Sequence, residues 1–334
     1  MKKSDNPDRR SFIRMIGGGI GGSMVVATPL AGMLSTLVGC SGAEADVSPE
    51  ELYVSSHLTE PGTFVSGVEG PVVNGPAVDS KGNLYAVNFN NAHTIGKVTP
   101  DGKAGLFADL PDRGLGGGIR FNSLGEMLVA DYANQKILKV DMPSRKVSTY
   151  AHQPAMTMPK ELAIDSNDLI YASDPDWNSK SGRLWRIDPD GGTTLLEDNM
   201  GTANGIEVSP DEKTLYVNET VQRNVWAYNL SPEGEISGKR LLVRFPDYGI
   251  DGMRCDIDGN LYITRKGRGR SVVIISPERD VVQEITLGGW IANNIAFGGP
   301  DGCTVYVTVA DRGNIQTFRT ASPGRSWTLL NRQR

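Results

Sequence analysis

One pattern, written six times, constrains this chain more than any other feature. An apolar–x–apolar strand leads through a polar turn with Asp or Gly into a second strand around Leu-Tyr. The copies are "PAVDSKGNLYAVNF", "IRFNSLGEMLVADY", "LAIDSNDLIYASDP", "IEVSPDEKTLYVNE", "MRCDIDGNLYITRK" and "IAFGGPDGCTVYVT". A third strand with alternating apolar residues follows each ("KILKVDM", "RLWRIDP", "NVWAYNL"), and turns such as "PDGK" and "SPEGE" lead to a fourth. Period-two alternation bounded by Gly, Pro and Asp clusters marks antiparallel hairpins. Four strands recurring every ~42 to 47 residues make one blade of a β-propeller. The expected fold is therefore all-β, a six-bladed propeller whose copies fill residues 75–320. The last copy lacks a clear fourth strand. "SHLTEPGTFVSG" near the N-terminus is placed to supply it, closing the ring and removing an exposed edge. The repeated D-x-x-G and D-x-D-G runs, such as Asp256 to Gly259, lack the other ligands of a calcium loop and read as hairpin turns.

The N-terminus reads as an address. "DRRSFIRMIGGGIGGSMVVATPLAGMLSTLVGCSG" carries Arg9-Arg10, a mildly apolar Gly-rich segment and then "LVGC". It resembles a twin-arginine export signal ending in a bacterial lipoprotein box. The expected organisation is a signal over 1–40, a tether over 41–51 and the propeller over 52–334. In that reading Cys40 is lipidated, and the protein is exported to the periplasm or cell envelope and held at the membrane by its lipid anchor. "GGGIGG" fits G-x-G-x-x-G through Gly17, Gly19 and Gly22, but follows no strand and lies in the signal, so it is not a dinucleotide site. Twin-arginine export carries folded proteins, so Cys255 and Cys303 are expected as free thiols. A net charge of −5 with no long basic run gives no basis for a nucleic-acid partner. His57, His93 and His152 are scattered, which argues against a histidine-rich zinc site or a Ser-His-Asp triad.

The repeat also predicts a site. The first strands end at Asp79, Asn122, Asp165, Ser209, Asp256 and Gly298. Five residues earlier stand Asn74, Gly117, Lys160, Asn204, Asp251 and Asn293. In a propeller these positions converge on the central channel. Carboxylate and amide oxygens around one point suit a hard cation such as Ca²⁺. Polar residues lining a wet channel and bonding one another account for the same pattern.

"NGIEVSPDEKTLYVNE", "DGMRCDIDGNLYIT" and "NNIAFGGPDGCTVYVT", with "GPAVDSKGNLY", resemble the senescence marker protein / gluconolactonase / luciferin-regenerating enzyme family over about residues 60–320. The resemblance implies a six-bladed propeller with one divalent cation, Ca²⁺ or Zn²⁺, in the channel, and hydrolysis of a lactone or sugar-like ester. It assigns Asn204 as a metal ligand and Asp251 as ligand and base or nucleophile. Two positions depart from the family. Its third-blade Asn is Lys160 here, in "KEL". Its first-blade Glu-Gly-Pro occurs at Glu69, yet the spacing to the repeat selects Asn74. A lysine at contact distance would repel a dication. So either Glu69 reaches the channel and a metal is kept, or the Lys160 ammonium replaces the cation, pairs with Asp251 and polarises the carbonyl. Asn293 and Asn294 are expected to bind substrate hydroxyls, and Arg254 a carboxylate or ring oxygen. In "SDPDWN", Asp174 and Trp177 are expected at the channel mouth, Trp177 stacking on a sugar-like ring. The alternatives are a non-catalytic binding propeller, an organophosphate-type hydrolase on the same scaffold, and a strictosidine synthase-like enzyme, disfavoured because it does not use the metal ring.

Overall fold

The computed structural model describes residues 54–55, 73–88 and 92–332. The signal with Cys40, the tether and Glu69 lie outside them. Six antiparallel sheets, each of four strands, follow one another along the chain. Their inner strands are Asn74–Val78, Gly116–Phe121, Glu161–Ile164, Ala203–Val208, Ile250–Cys255 and Ala292–Gly298. Each packs against the inner strands of the blades on either side, so the six close a ring around one axis. The expected six-bladed propeller is the observed fold. In the sixth blade the outermost strand comes from the N-terminal side: Val54–Ser55 pairs with Asn314–Arg319, two residues that immediately precede the stretch expected to do so.

The core lies between blades. Ala77, Tyr85, Val87 and Ile95 of blade one pack on Ile119, Met127, Val129 and Leu138 of blade two, and clusters of the same kind recur around the ring. Each buried Val or Ile side chain contributes roughly 1.5–3 kcal/mol. In five of the six blades the residue closing the inner strand builds the hairpin below it; the sixth closes at Gly298, and Asp301 takes that part. Asp79 Oδ1 accepts the amides of Lys81 and Asn83, and its Oδ2 accepts Asn83 Nδ2 and the Tyr85 hydroxyl. Asp256 repeats the arrangement with Asp258, Asn260 and Tyr262. The carboxylate oxygens of the D-x-x-G and D-x-D-G runs are consumed by their own turns, which is why they are hairpins and not calcium loops.

The chain then forms one helix, α1 (Arg325–Asn331), which lies under the hairpin end of the channel, where Trp327 joins the sixth-blade core. Among the described residues no helix is long and apolar enough to cross a membrane. Cys255 is a free, buried thiol as expected. Cys303 is disulfide-bonded, against expectation. Completing the fold in a reducing compartment does not prevent a bond that needs only a second thiol within reach.

Candidate active site at the channel mouth

The upper ends of the inner strands are irregular. Pairing slips between Asn74 and Ala77, Gly116 and Ile119, Ala203 and Ile206, Ile250 and Met253, and Ala292 and Asn294. A bulge re-aims the side chains beside it, and here it turns the ring residues inward. Glycine follows the ring residue for a steric reason. A Cβ on Gly205 would stand 2.3 Å from Asp251 O, one on Gly75 1.9 Å from Gly117 O, and one on Gly252 2.7 Å from Asn294 Cα. Neighbouring backbones approach through these gaps, so Asn-Gly and Asp-Gly are packing signatures as much as chemical ones.

The ring residues do converge. Asn204 Nδ2 donates to Asp251 Oδ1 at 2.7 Å and to Thr220 Oγ1 at 3.0 Å. The other Asp251 oxygen is taken by Lys266, with Nζ 2.5 Å from Oδ2. Lys160 does not form that ion pair. It lies half-buried beside Asp251 with its Nζ 5.0 Å from the centre of the Tyr132 ring. Burial lowers the Lys160 pKa, opposed by the carboxylates of Asp251 and Glu161. The expected Lys160–Asp251 pair is thus corrected to Lys266–Asp251, because the Lys266 side chain descends from the blade that carries Asp251 itself.

Asn74 and Asn294 belong to a bridge just below. Asn294 Nδ2 donates to Glu161 Oε1 at 2.5 Å and to Asn74 Oδ1 at 3.2 Å. Glu161 stands on blade three and Asn294 on blade six, so their bond spans the channel. Asn294 Oδ1 also accepts the Ile295 amide, so both its N–H donors and one of its two acceptor positions are taken within the fold. Asn293 donates to Val73 O at 3.1 Å, but its Oδ1 is buried without a partner, as is Asn204 Oδ1. These two amide oxygens remain to accept from a ligand.

The other expected binders separate. Asp174 accepts the amides of Thr157 and Met158 and the Trp185 indole N–H, so it pins the loop leading to Lys160 and has no oxygen left for substrate. Trp177 is half-buried on the turn after Asp174's strand. Arg254 points below the bridge, bonding Met253 O at 2.6 Å, with Glu161 Oε2 3.9 Å away. Lys266, Tyr132 and Thr220 escaped the sequence reading, yet each directly follows the second strand of its blade. Aligning those strand ends, as was done for the first strands, exposes this second ring.

The described donors do not suit a dication. Two amide oxygens and the Asp251 carboxylate face two ammoniums, both Asp251 oxygens are engaged, and with Glu161 just below the two carboxylates are already offset by Lys160 and Lys266, leaving no net negative charge for a dication. Among the described residues no group of three or more His, Cys, Asp or Glu could hold a metal.

The sequence profile described as the SMP-30/Gluconolactonase/LRE-like region matches residues 72–311. The chain belongs to this family. A gluconolactonase of Zymomonas mobilis is 25% identical over 287 residues, covering 75% of this chain and 79% of its own. A pentonolactonase of Haloferax volcanii is 29% identical over 153 residues, 45% of this chain and about half (52%) of that one. Among solved structures, a calcium-binding regucalcin from Agrobacterium tumefaciens superposes with a TM-score of 0.67 at 17% identity, over 77% of this chain and 95% of that one. At that identity the likeness speaks for the propeller alone. Within the family, this member sets Lys160 in the ring and Lys266 on the ring's one described carboxylate.

Proposed function

We propose that this protein is a lactone hydrolase working at the channel mouth. The observation that carries this is Asp251, fixed between Asn204 and Lys266 beside Lys160, in a chain of a family with lactonases among its members. A lactone carbonyl lodges among the two ammoniums, with its ring hydroxyls donating to Asn204 Oδ1 and Asn293 Oδ1. Water attacks the acyl carbon and Asp251 takes its proton. Lys266 shifts from Asp251 toward the developing oxyanion, which Lys160 also stabilises. The ring C–O bond breaks and the departing alkoxide recovers the proton from Asp251, giving a hydroxy acid. No step passes through a metal ion, because the described residues do not fit one. The twin-arginine stretch supports an exported form; because Cys255 is free and Cys303 is disulfide-bonded in a chain of three cysteines, lipidation of Cys40 competes with that bond, and lipid labelling lost in Cys40→Ala tests whether the lipid is carried.

The test of the chemistry is a sugar-lactone panel followed by proton release, with and without chelator. Hydrolysis that persists in chelator and falls about 10²–10⁴-fold in a folded Asp251→Asn protein is the expected outcome. An Asp251→Asn protein with unchanged turnover would overturn the role of Asp251, and loss of all activity on chelation would overturn the metal-free reading.

A further inference from the structure

Below the Glu161–Asn294 bridge the channel opens into a second cavity of about 90 Å³, floored by α1. Two residues before the hairpin residue of each inner strand, the blades present Ala77, Arg120, Ala163, Glu207, Arg254 and Ala296. Three alanines leave room, and two arginines face it. Arg120 and Arg254 are each only 3% exposed. Arg120 donates Nη1 to Ile119 O at 2.7 Å, while its Nε and Nη2 have no partner. Arg254 Nη2 is likewise unpartnered, its nearest carboxylate being Glu161 at 3.9 Å.

Two carboxylates, Glu161 and Glu207, lie near these arginines, and each has one oxygen engaged and one, Oε2, buried without a hydrogen-bond partner. Glu161 Oε1 holds Asn294. Glu207 Oε1 accepts the Val208 amide and lies 3.7 Å from Arg325, which itself bonds Ile164 O and Glu212. Asp165 is bound by its own hairpin, and Asp168 accepts the amide and hydroxyl of Ser123. No carboxylate among the described residues stands within ion-pair distance of Arg120. Burial, with the like charge of Arg254, brings Arg120 down to about 9. Buried guanidinium N–H groups left unbonded are costly, and the fork of donors that remains matches a planar oxyanion.

We propose that this lower cavity is a second binding site, separate from the channel mouth, that takes a small monocarboxylate between Arg120 and Arg254. The volume exceeds what a single water needs, and Ala77 and Ala296 leave apolar wall for a short carbon chain. The carboxylate accepts from the Arg120 Nε and Nη2 groups that no acceptor of the fold reaches.

The experiment is calorimetric titration of sodium acetate into the full chain in a bulky zwitterionic buffer, with phosphate as the second probe. Saturable 1:1 binding of acetate is expected, weakened at least tenfold in Arg120→Leu. Ala296→Leu fills the cavity while leaving both arginines in the chain and is expected to abolish binding, which keeps the test decisive should Arg120→Leu fail to fold. No saturable acetate binding, binding unchanged in Ala296→Leu, or binding of phosphate in place of acetate would each overturn the proposal. Lactone turnover is read on the same samples, so failure of this site is separable from failure of the one above.

Discussion

Lys160 shows how a single residue trades stability for chemistry. Its pKa is lowered by burial from 10.5, so the folded state prefers the neutral amine. The sign follows: stability from this group is complete above the unfolded value and is lost as pH falls through the lowered folded value. At neutral pH the ammonium therefore destabilises the fold. Lys160→Met is expected to raise the thermal midpoint there by about 2–4 °C, a gain that shrinks as pH rises from the lowered folded value and is gone above pH 10.5, while lowering lactone turnover. Wild-type turnover should in turn decline as pH rises through the lowered Lys160 value, because the oxyanion loses its ammonium. Calorimetric scans and a pH–rate profile on both proteins check this; a less stable Lys160→Met at neutral pH would show that the lysine is held by contacts and not merely tolerated. Counting back from the hairpin residue put Lys160 and Asp251 at the same end of their inner strands, where the two are neighbours. It could not assign their partner, since Lys266 is 15 residues beyond Asp251 and meets it only because the second strand of the blade returns to the same face.

At the scale of the element, the inner strand carries the design. Its lower end is regular and in most blades fixed by a hairpin Asp, Asn or Ser, and its upper end is bulged in every blade but the third and carries glycine in four of the six. This division explains what was legible. Hairpins and blade count follow from local alternation and turn chemistry, which a sequence displays directly. The Glu161–Asn294 bridge spans two blades 133 residues apart, and no local pattern announces it. The glycines offer a direct test. Gly252→Ala would place a Cβ 2.2 Å from Asn294 Oδ1 and 2.7 Å from Asn294 Cα. Overpacking of this kind costs about 1–3 kcal/mol, and it would push the bridge amide away from Glu161. The expected result is a lower denaturation midpoint with an unchanged denaturant slope, together with reduced turnover, because Asp251 is the preceding residue. Unchanged stability would mean that the bulge relaxes freely and does not set the ring.

For the whole molecule, the question is what holds six nearly independent blades in a circle. Each inter-blade core contributes to closure only if the first and last blades are joined, and the joint is the pairing of Val54–Ser55 with Asn314–Arg319. This strand is short, yet it converts an edge into a paired strand, and an unpaired edge invites association with another chain. The sixth blade is also braced from below, where Gly324 bonds Gly302 O and α1 packs Trp327 against the blade's core. The repeat made the circle legible, and it anticipated that the N-terminal side would close it. The helix was not legible, because it follows the last copy of the repeat and is fixed by contacts with residues such as Gly302 that are far from it in sequence. Removing residues 1–56 deletes the closing strand and leaves every other described strand in place. The truncated chain is expected to keep its β-sheet signal, to melt at a lower temperature than the full chain and to associate at high concentration through the exposed Asn314–Arg319 edge. Thermal denaturation and light scattering across a dilution series measure both effects. A truncated chain that melts at the same temperature and stays monomeric would show that α1 and the inter-blade cores close the ring without the strand.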